Sequence, residues 1–252
     1  MTFFEKFKLS DVEIASTTFD SLKDYFKNVI LGKNKNEHIV TFNLDFLRTS
    51  TLDKNFKQIC MNADLVIPDG VGVTSLINRK YKTKIKRITG YDAFKIILEI
   101  SNEINFKVAL VGSTEKIQKK CIERIKKEFS NIEIAASISP PFLFEKNDIE
   151  NKKVVEELIS AKPDVLFVGL GSPRQEFWLK ENMKLIGAKI NIGIGGVFDF
   201  YSGAKIRAPK IFRDYSLEWF WRLINEPKRL YKRYLVDDLP FYFKMLKTIN
   251  KK

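Results

Sequence analysis

The chain has 252 residues, 44% hydrophobic and 30% charged, which suffices for one good-sized core, with or without an appendage, and excludes disorder as the ruling state. No apolar run reaches the ~18–20 residues of a membrane span, and the start, MTFFEKFKLSDVEIAS, has acidic residues where a signal peptide needs an apolar stretch. The formal net charge is +13 and unevenly placed: residues 204–252 hold thirteen Lys/Arg against five Asp/Glu, a net of +8, with ten aromatic residues among them.

In chain order, residues 1–38 read as a small opening unit. VEIAS is a strand candidate, and TTFDSLKDYFKNVIL has a helical period with Thr17 or Thr18 as its cap. IVTFN is a strand running into a helix around FLRTSTLDKNFKQIC. DLVIP repeats that logic, followed by the turn PDG and the helix GVTSLIN. RITGYDAFKIILEISNEI starts a helix after a Thr-Gly turn. FKVALVGS is a strand closed by Gly112; the next helix places Ile117, Cys121, Ile125 and Phe129 on one face. NIEIAASISPPFLF is a strand into a Pro-rich loop, and NDIENKKVVEELISA a helix capped by Asn147 or Asp148. Two further strands, VLFVG and INIG, flank the helix PRQEFWLKENMK.

Strand and helix alternate at βαβ spacings, which predicts an α/β domain with a Rossmann-like, mostly parallel sheet, ending near residue 203. Residues 204–252 read as a basic amphipathic appendage of two or three helices, punctuated by Pro209, Pro227 and Pro240. Basic and aromatic residues together fit either an anionic membrane surface or a nucleic acid. Cys60 and Cys121 are isolated thiols, as in a reducing compartment. His38, the only histidine, reads as structural or surface, so no zinc site is expected.

The stretch 162–207 organises the rest. Within it, two short apolar runs end in glycines, VLFVGLGSPRQE and INIGIGGVFDFYSG, which suggests neighbouring strands sharing one crevice. Glycines at such strand ends (Gly112, Gly169, Gly171, Gly195 and Gly196) let a ligand approach the amides. Gly169 and Gly171 form G-x-G, but the third fingerprint position is Arg174, so a dinucleotide reading is weak. Residues 172–176 fit two readings: a phosphate seat at a helix start, or a capped helix with Gln175 and Glu176 completing a capping box. Asp69 in the PDG turn is either a turn residue or a carboxylate at the binding edge, able to take a proton from a substrate hydroxyl. Thr41 and Asn43 end the preceding strand at the same rim, and Arg87 could bring positive charge to a phosphate. No D-x-D, P-loop or G-x-S-x-G motif occurs, so phosphates would be met by amides and arginines without a metal.

Taken together, TFNLDFL, ADLVIPDGVGV, RITGYD, VALVGS, PDVLFVGLGSPRQEFW, IGIGGVFDFYSG and RAPKIFRDYSLEWFWRLINEPKRLYKRYL, in this order, resemble the WecG/TagA/CpsF glycosyltransferases over roughly residues 10–235. The resemblance implies inverting transfer of an N-acetylmannosamine-type sugar from a UDP donor to a GlcNAc-diphospho-undecaprenol-type lipid, at the inner face of the bacterial membrane. It implies Asp69 as general base and Thr41, Asn43, Arg87 and Gln175 as site residues. Arg222, Arg229 and Arg233 would meet the donor or lipid diphosphate. The expected donor set adds Glu176 and the strand-end glycines; the expected diphosphate set adds Arg207. Tyr201, and YDAF at residues 91–94, depart from the family pattern and bear on sugar identity. No cofactor and no nucleic acid are implied; the expected partners are the UDP-sugar, the lipid-linked acceptor and an anionic membrane, and a homo-oligomer is compatible. Transfer of another hexose or a uronic acid is the alternative reading within this class. Of two competing classes, a basic nucleic-acid module explains the charge but leaves PDG, GSPRQE and GGVFDF without a purpose, and a nucleotide-cofactor oxidoreductase is disfavoured by the broken glycine fingerprint.

Overall fold

The computed structural model describes residues 3–32 and 36–250; Lys251 and Lys252, counted above in the basic tail, lie outside them. The chain opens with an antiparallel hairpin, β1 (Lys6–Leu9) and β2 (Val12–Ala15). Ser10 and Asp11 between them both have positive φ, 49° and 73°, a turn whose twist suits a hairpin. VEIAS is β2. Strand β1 is not legible in the sequence, because Ser-Asp lacks the glycine that usually marks such a turn. Thr18 caps α1 (Phe19–Leu31), its hydroxyl accepting from the Ser21 N–H at 3.2 Å.

The expected alternation then follows: β3 (Glu37–Phe42), α2 (Leu44–Leu52), α3 (Lys54–Met61), β4 (Leu65–Pro68), α4 (Val71–Tyr81), α5 (Gly90–Ile104), β5 (Lys107–Gly112), α6 (Glu115–Glu128), β6 (Glu133–Ile138), α7 (Asp148–Ala161), β7 (Val165–Gly169), α8 (Arg174–Ile186) and β8 (Ile190–Gly193). The helix read through FLRTSTLDKNFKQIC is in fact two. Asp53 ends α2, and its carboxylate accepts from the N–H groups of Asn55 and Phe56 at 2.8 and 3.1 Å, starting α3 afresh.

The six strands β3–β8 form one sheet in the order β4-β3-β8-β7-β5-β6, every neighbouring pair parallel. Alternate residues face opposite layers. Ile39, Ile67, Leu110, Phe167 and Ile192 pack against α1, α5 and α6. Val40, Phe42 and Val66 pack against α2–α4 and the hairpin, while Val111, Leu166 and Val168 meet α7 and α8. Cover on both faces explains why the strands read as near-continuous apolar runs. The β4-to-β5 connection crosses the sheet, so β3 and β8 become neighbours and their carboxyl ends open beside that of β4. In open parallel sheets this is where ligands bind.

After β8 come α9 (Val197–Tyr201), α10 (Lys210–Asp214), α11 (Glu218–Asn225), α12 (Pro227–Tyr231), a π-helical stretch (Lys232–Asp238) and α13 (Leu239–Asn250). The sequence predicts two or three helices after residue 203; the structure divides that length into four and a π-helical stretch. Glu226, with φ −131° and ψ 53°, breaks the run ahead of Pro227. α13 lies along α4: Phe241, Tyr242, Met245, Leu246 and Ile249 are partly buried against that layer, and the Tyr242 hydroxyl hydrogen-bonds Ser75. Among the described residues no helix is long and apolar enough to cross a membrane.

Candidate functional site

A cavity of about 410 Å³ lies over the carboxyl ends of β3, β4 and β8 and is roofed by the chain after residue 203. Its floor is Asn43 and Asp45 after β3, residues 69–72 after β4, and Ile194, Gly196 and Val197 after β8. Gly70 has φ +105°, a conformation open to glycine, and so turns Asp69 towards the cavity while α4 starts immediately after. The N-terminal amides of α4 thus face the cavity and favour an anion there.

Asp69 is partly buried and accepts from the Gly90 N–H at 3.3 Å. Burial pushes its carboxyl up to about 6; the Glu218 charge adds to this, while the Gly90 amide and Arg222 oppose it. The group is ionised at neutral pH yet basic enough to take a proton.

Arg87, Arg207, Arg222 and Arg233 all line the cavity. Glu218 of α11 pairs with Arg87 at 3.0 Å and with Arg207 at 3.8 Å. Arg207 also lies 3.3 Å from Asp92 and stacks 3.9 Å above the Tyr91 ring. Arg233 reaches Asp45 at 3.3 Å and Asp238 at 3.6 Å, and Arg48 pairs with the same two carboxylates from the other side. Arg222 is different. It lies 5.4 Å from the Phe200 ring centroid and has no carboxylate partner within salt-bridge reach among the described residues, and its Nε has no hydrogen-bond partner. Arg222 is half-buried, and its charge, outside any salt bridge, reaches the Asp69 carboxylate and is available to an anion entering the cavity.

Other expected site residues sit elsewhere. Thr41 is buried, its hydroxyl donating to the Gly193 carbonyl at 3.2 Å and so tying β3 to β8. Gly112 and Gly169 serve close packing: a Cβ on Gly112 would come 2.6 Å from the Gly169 carbonyl oxygen, and one on Gly169 2.7 Å from the Phe198 ring. Gly171 and Gly195 have positive φ, 80° and 55°, with open space where a Cβ would go, and neither lines the cavity. Gln175 and Glu176 turn inward beneath the loop after β8, each 2% exposed. Gln175 Nε2 donates to Glu176 Oε1 at 2.6 Å, and Gln175 Oε1 accepts from the Gly195 N–H at 3.0 Å. No side chain caps α8, so there is no capping box. Burial lifts the Glu176 carboxyl to about 7. The break at Glu226 also separates the tail arginines: Arg229 pairs with Glu226 at 2.7 Å, outside the cavity lining.

Tyr201 is fully buried in the core, its hydroxyl donating to Glu128 at 3.0 Å, whereas Tyr91 of YDAF lines the cavity. The aromatic tail divides likewise. Trp219 and Tyr234 line the cavity, Trp221 packs on Phe212, and Phe220 and Tyr231 are exposed. Asp45, Phe200, Glu218 and Asp238 also line the cavity without having been singled out by sequence. Asp45 stands two residues after Asn43 in TFNLD and carried a usable signal; Glu218 and Asp238 are brought in only by the return of the tail. Among the described residues no group of three or more His, Cys, Asp or Glu could hold a metal ion.

The profile of the family described as "Glycosyl transferase WecG/TagA/CpsF family" matches residues 7–252. Among known proteins, the chain is 29% identical over 221 residues to an N-acetylglucosaminyldiphosphoundecaprenol N-acetyl-beta-D-mannosaminyltransferase of Bacillus spizizenii, covering 88% of this chain and 84% of that protein. A protein of the same name from Bacillus subtilis is 29% identical over 93% of this chain and 88% of its own length. One from Staphylococcus aureus is 28% identical over 100% of this chain and 98% of its own.

Proposed function

The chain belongs to the WecG/TagA/CpsF family of glycosyltransferases, and from that premise we propose that it moves an N-acetylmannosamine-type sugar from a UDP donor to a GlcNAc-diphospho-undecaprenol-type lipid. The observation that carries this reading is one cavity holding a carboxylate tuned to about 6, Asp69, together with a guanidinium that makes no salt bridge among the described residues, Arg222. The names of the relatives supply the sugar and the acceptor.

In this mechanism Asp69 takes the proton of the acceptor hydroxyl as its oxygen attacks the anomeric carbon. The bond from that carbon to the UDP phosphate oxygen breaks, the electron pair leaves with UDP, and the configuration inverts. Arg222, with Arg207 and the first amides of α4, meets the negative charge that develops on the leaving group, and no metal is required. Gln175 and Glu176 hold the Gly195–Gly196 loop beneath the donor; Thr41 holds β3 against β8. The tail lies at the inner face of the bacterial membrane as a peripheral, membrane-associating appendage. Its basic residues meet anionic headgroups, and the exposed Ile211, Tyr215 and Phe220 enter the headgroup boundary. The product would feed teichoic acid or another envelope glycan.

Thermal stabilisation by UDP, with none by NAD or an oligonucleotide, is the expected result of a ligand screen. A shift with NAD alone, or with the oligonucleotide alone, would replace the transferase reading by one of its competitors.

A further inference from the structure

Residues 79–90 carry six Lys/Arg and no Asp/Glu. At the end of α4 the chain turns at Lys82, φ 54°, and runs back along the core until the Ile88 N–H donates to the Pro68 carbonyl at 3.0 Å. In an extended chain successive side chains face opposite ways, so residues two apart share a face about 7 Å apart. Lys82, Lys84 and Lys86 are exposed; Ile85 between them is buried and Thr83 and Arg87 are partly so. Asn78 pins this register: its Oδ1 accepts from the Ile85 N–H at 2.8 Å and its Nδ2 donates to the Ile85 carbonyl at 3.2 Å. Among the described residues none of the three lysines has a carboxylate partner.

The ends of the row are tied to the tail. Arg87 donates to the Arg213 carbonyl at 3.0 Å, at the end of α10, and Arg79 Nε donates to Asn250 Oδ1 at 3.0 Å, at the end of α13. Beside the upper end, α10 and the turn after it expose Ile211 (69%), Tyr215 (76%) and Leu217 (41%). A fixed row of cations bordering exposed aliphatic side chains has the chemistry of an anionic bilayer surface; Ile211 and Leu217 give a nucleic-acid base no ring to stack on.

We propose that Lys82, Lys84 and Lys86 form a second contact with anionic phospholipid, separate from the tail and electrostatic in nature. It orients the cavity mouth towards the bilayer into which the apolar side chains of the tail dip. The inference rests on the peripheral-membrane reading above and adds a partner surface in the α/β core itself.

The test is co-sedimentation of the full chain with phosphatidylcholine vesicles, with or without phosphatidylglycerol. The protein is compared with the triple variant Lys82→Gln, Lys84→Gln, Lys86→Gln and with Ile211→Ser, Tyr215→Ser. At roughly a factor of five per headgroup-facing cation, the triple variant is expected to partition ~100-fold less onto phosphatidylglycerol vesicles. Its binding to pure phosphatidylcholine and its turnover of a short-chain, water-soluble acceptor are expected to be unchanged. Wild-type partition by the triple variant while the apolar variant detaches would overturn the lysine row and leave the proposed function standing. Failure of the wild type itself to sediment with either vesicle would remove the membrane reading as well. Loss of oligonucleotide binding without loss of vesicle binding in the triple variant would reassign the row to nucleic acid.

Discussion

Replacing Asp69 by Asn should abolish transfer and at the same time raise thermal stability. Burial lifts the carboxyl from 3.8 to about 6, a shift of roughly two units at 1.36 kcal/mol each, so its ionised form costs the fold up to about 3 kcal/mol at neutral pH. Because the group faces a cavity open to water, about 1–2 kcal/mol is the realistic share. The sign follows from proton counting. Between pH 3.8 and about 6 the folded state holds the proton that the unfolded state releases. The cost is therefore absent below the lower value and complete above the upper one. Asn keeps the acceptor for the Gly90 amide and cannot ionise, so its melting temperature at pH 7.5 should lie ~2–6 °C above wild type. The gap should narrow as the pH falls from 6 towards 4. Differential scanning fluorimetry across that range, beside a transfer assay at pH 7.5, reads both halves. A melting temperature several degrees below wild type, or near-normal turnover, would refute the reasoning, because either result places Asp69 outside a strained catalytic role.

Arg222→Ala should lower kcat/KM by ~10²–10³, as loss of one preorganised charge donor does, whereas Arg229→Ala, which removes only an exposed pair with Glu226, should change it less than about fivefold. Steady-state kinetics on both variants separates two arginines that sequence spacing groups together. Gly193→Ala would set a Cβ 2.5 Å from Gln175 Nε2 and 2.9 Å from Glu176 Oε1, and should cost ~1–3 kcal/mol in urea unfolding. His38 is buried, which lowers its imidazole to about 4 from 6.5. The unfolded state alone binds that proton between the two values, so stability is lost as pH falls through that window, by about 2–3 kcal/mol at pH 4.5. The urea-unfolding difference between wild type and His38→Asn should shrink by that amount from pH 7.5 to pH 4.5; a constant difference would remove His38 from the acid response.

The six sheet strands could be read from sequence because strands covered on both faces are apolar over most of their length, and Gly or Pro follows closely on all but β3. Their order could not. That β8 returns to lie between β3 and β7 depends on packing such as the Thr41–Gly193 bond, which joins residues 152 positions apart. The PDG turn announced Asp69 because a buried run ends at it. Gln175 and Glu176 announced only a helix start; the closeness of Gly193, which lets them turn inward, is a tertiary fact. The tail shows the same limit. Helical spacing aligns Arg222, Arg229 and Arg233, but the break at Glu226 leaves Arg222 and Arg233 in the cavity and turns Arg229 out of it. Glu218 enters the site only because the tail folds back far enough to meet Arg87 and Arg207.

The most direct measurement is mass analysis of the lipid product after incubating the purified chain with UDP-N-acetylmannosamine and a short-chain GlcNAc-diphospho-lipid. One added N-acetylhexosamine per acceptor, with equimolar UDP released only when acceptor is present, is the predicted result. Unmodified acceptor, or UDP release independent of it, would contradict a transferase built around Asp69 and Arg222.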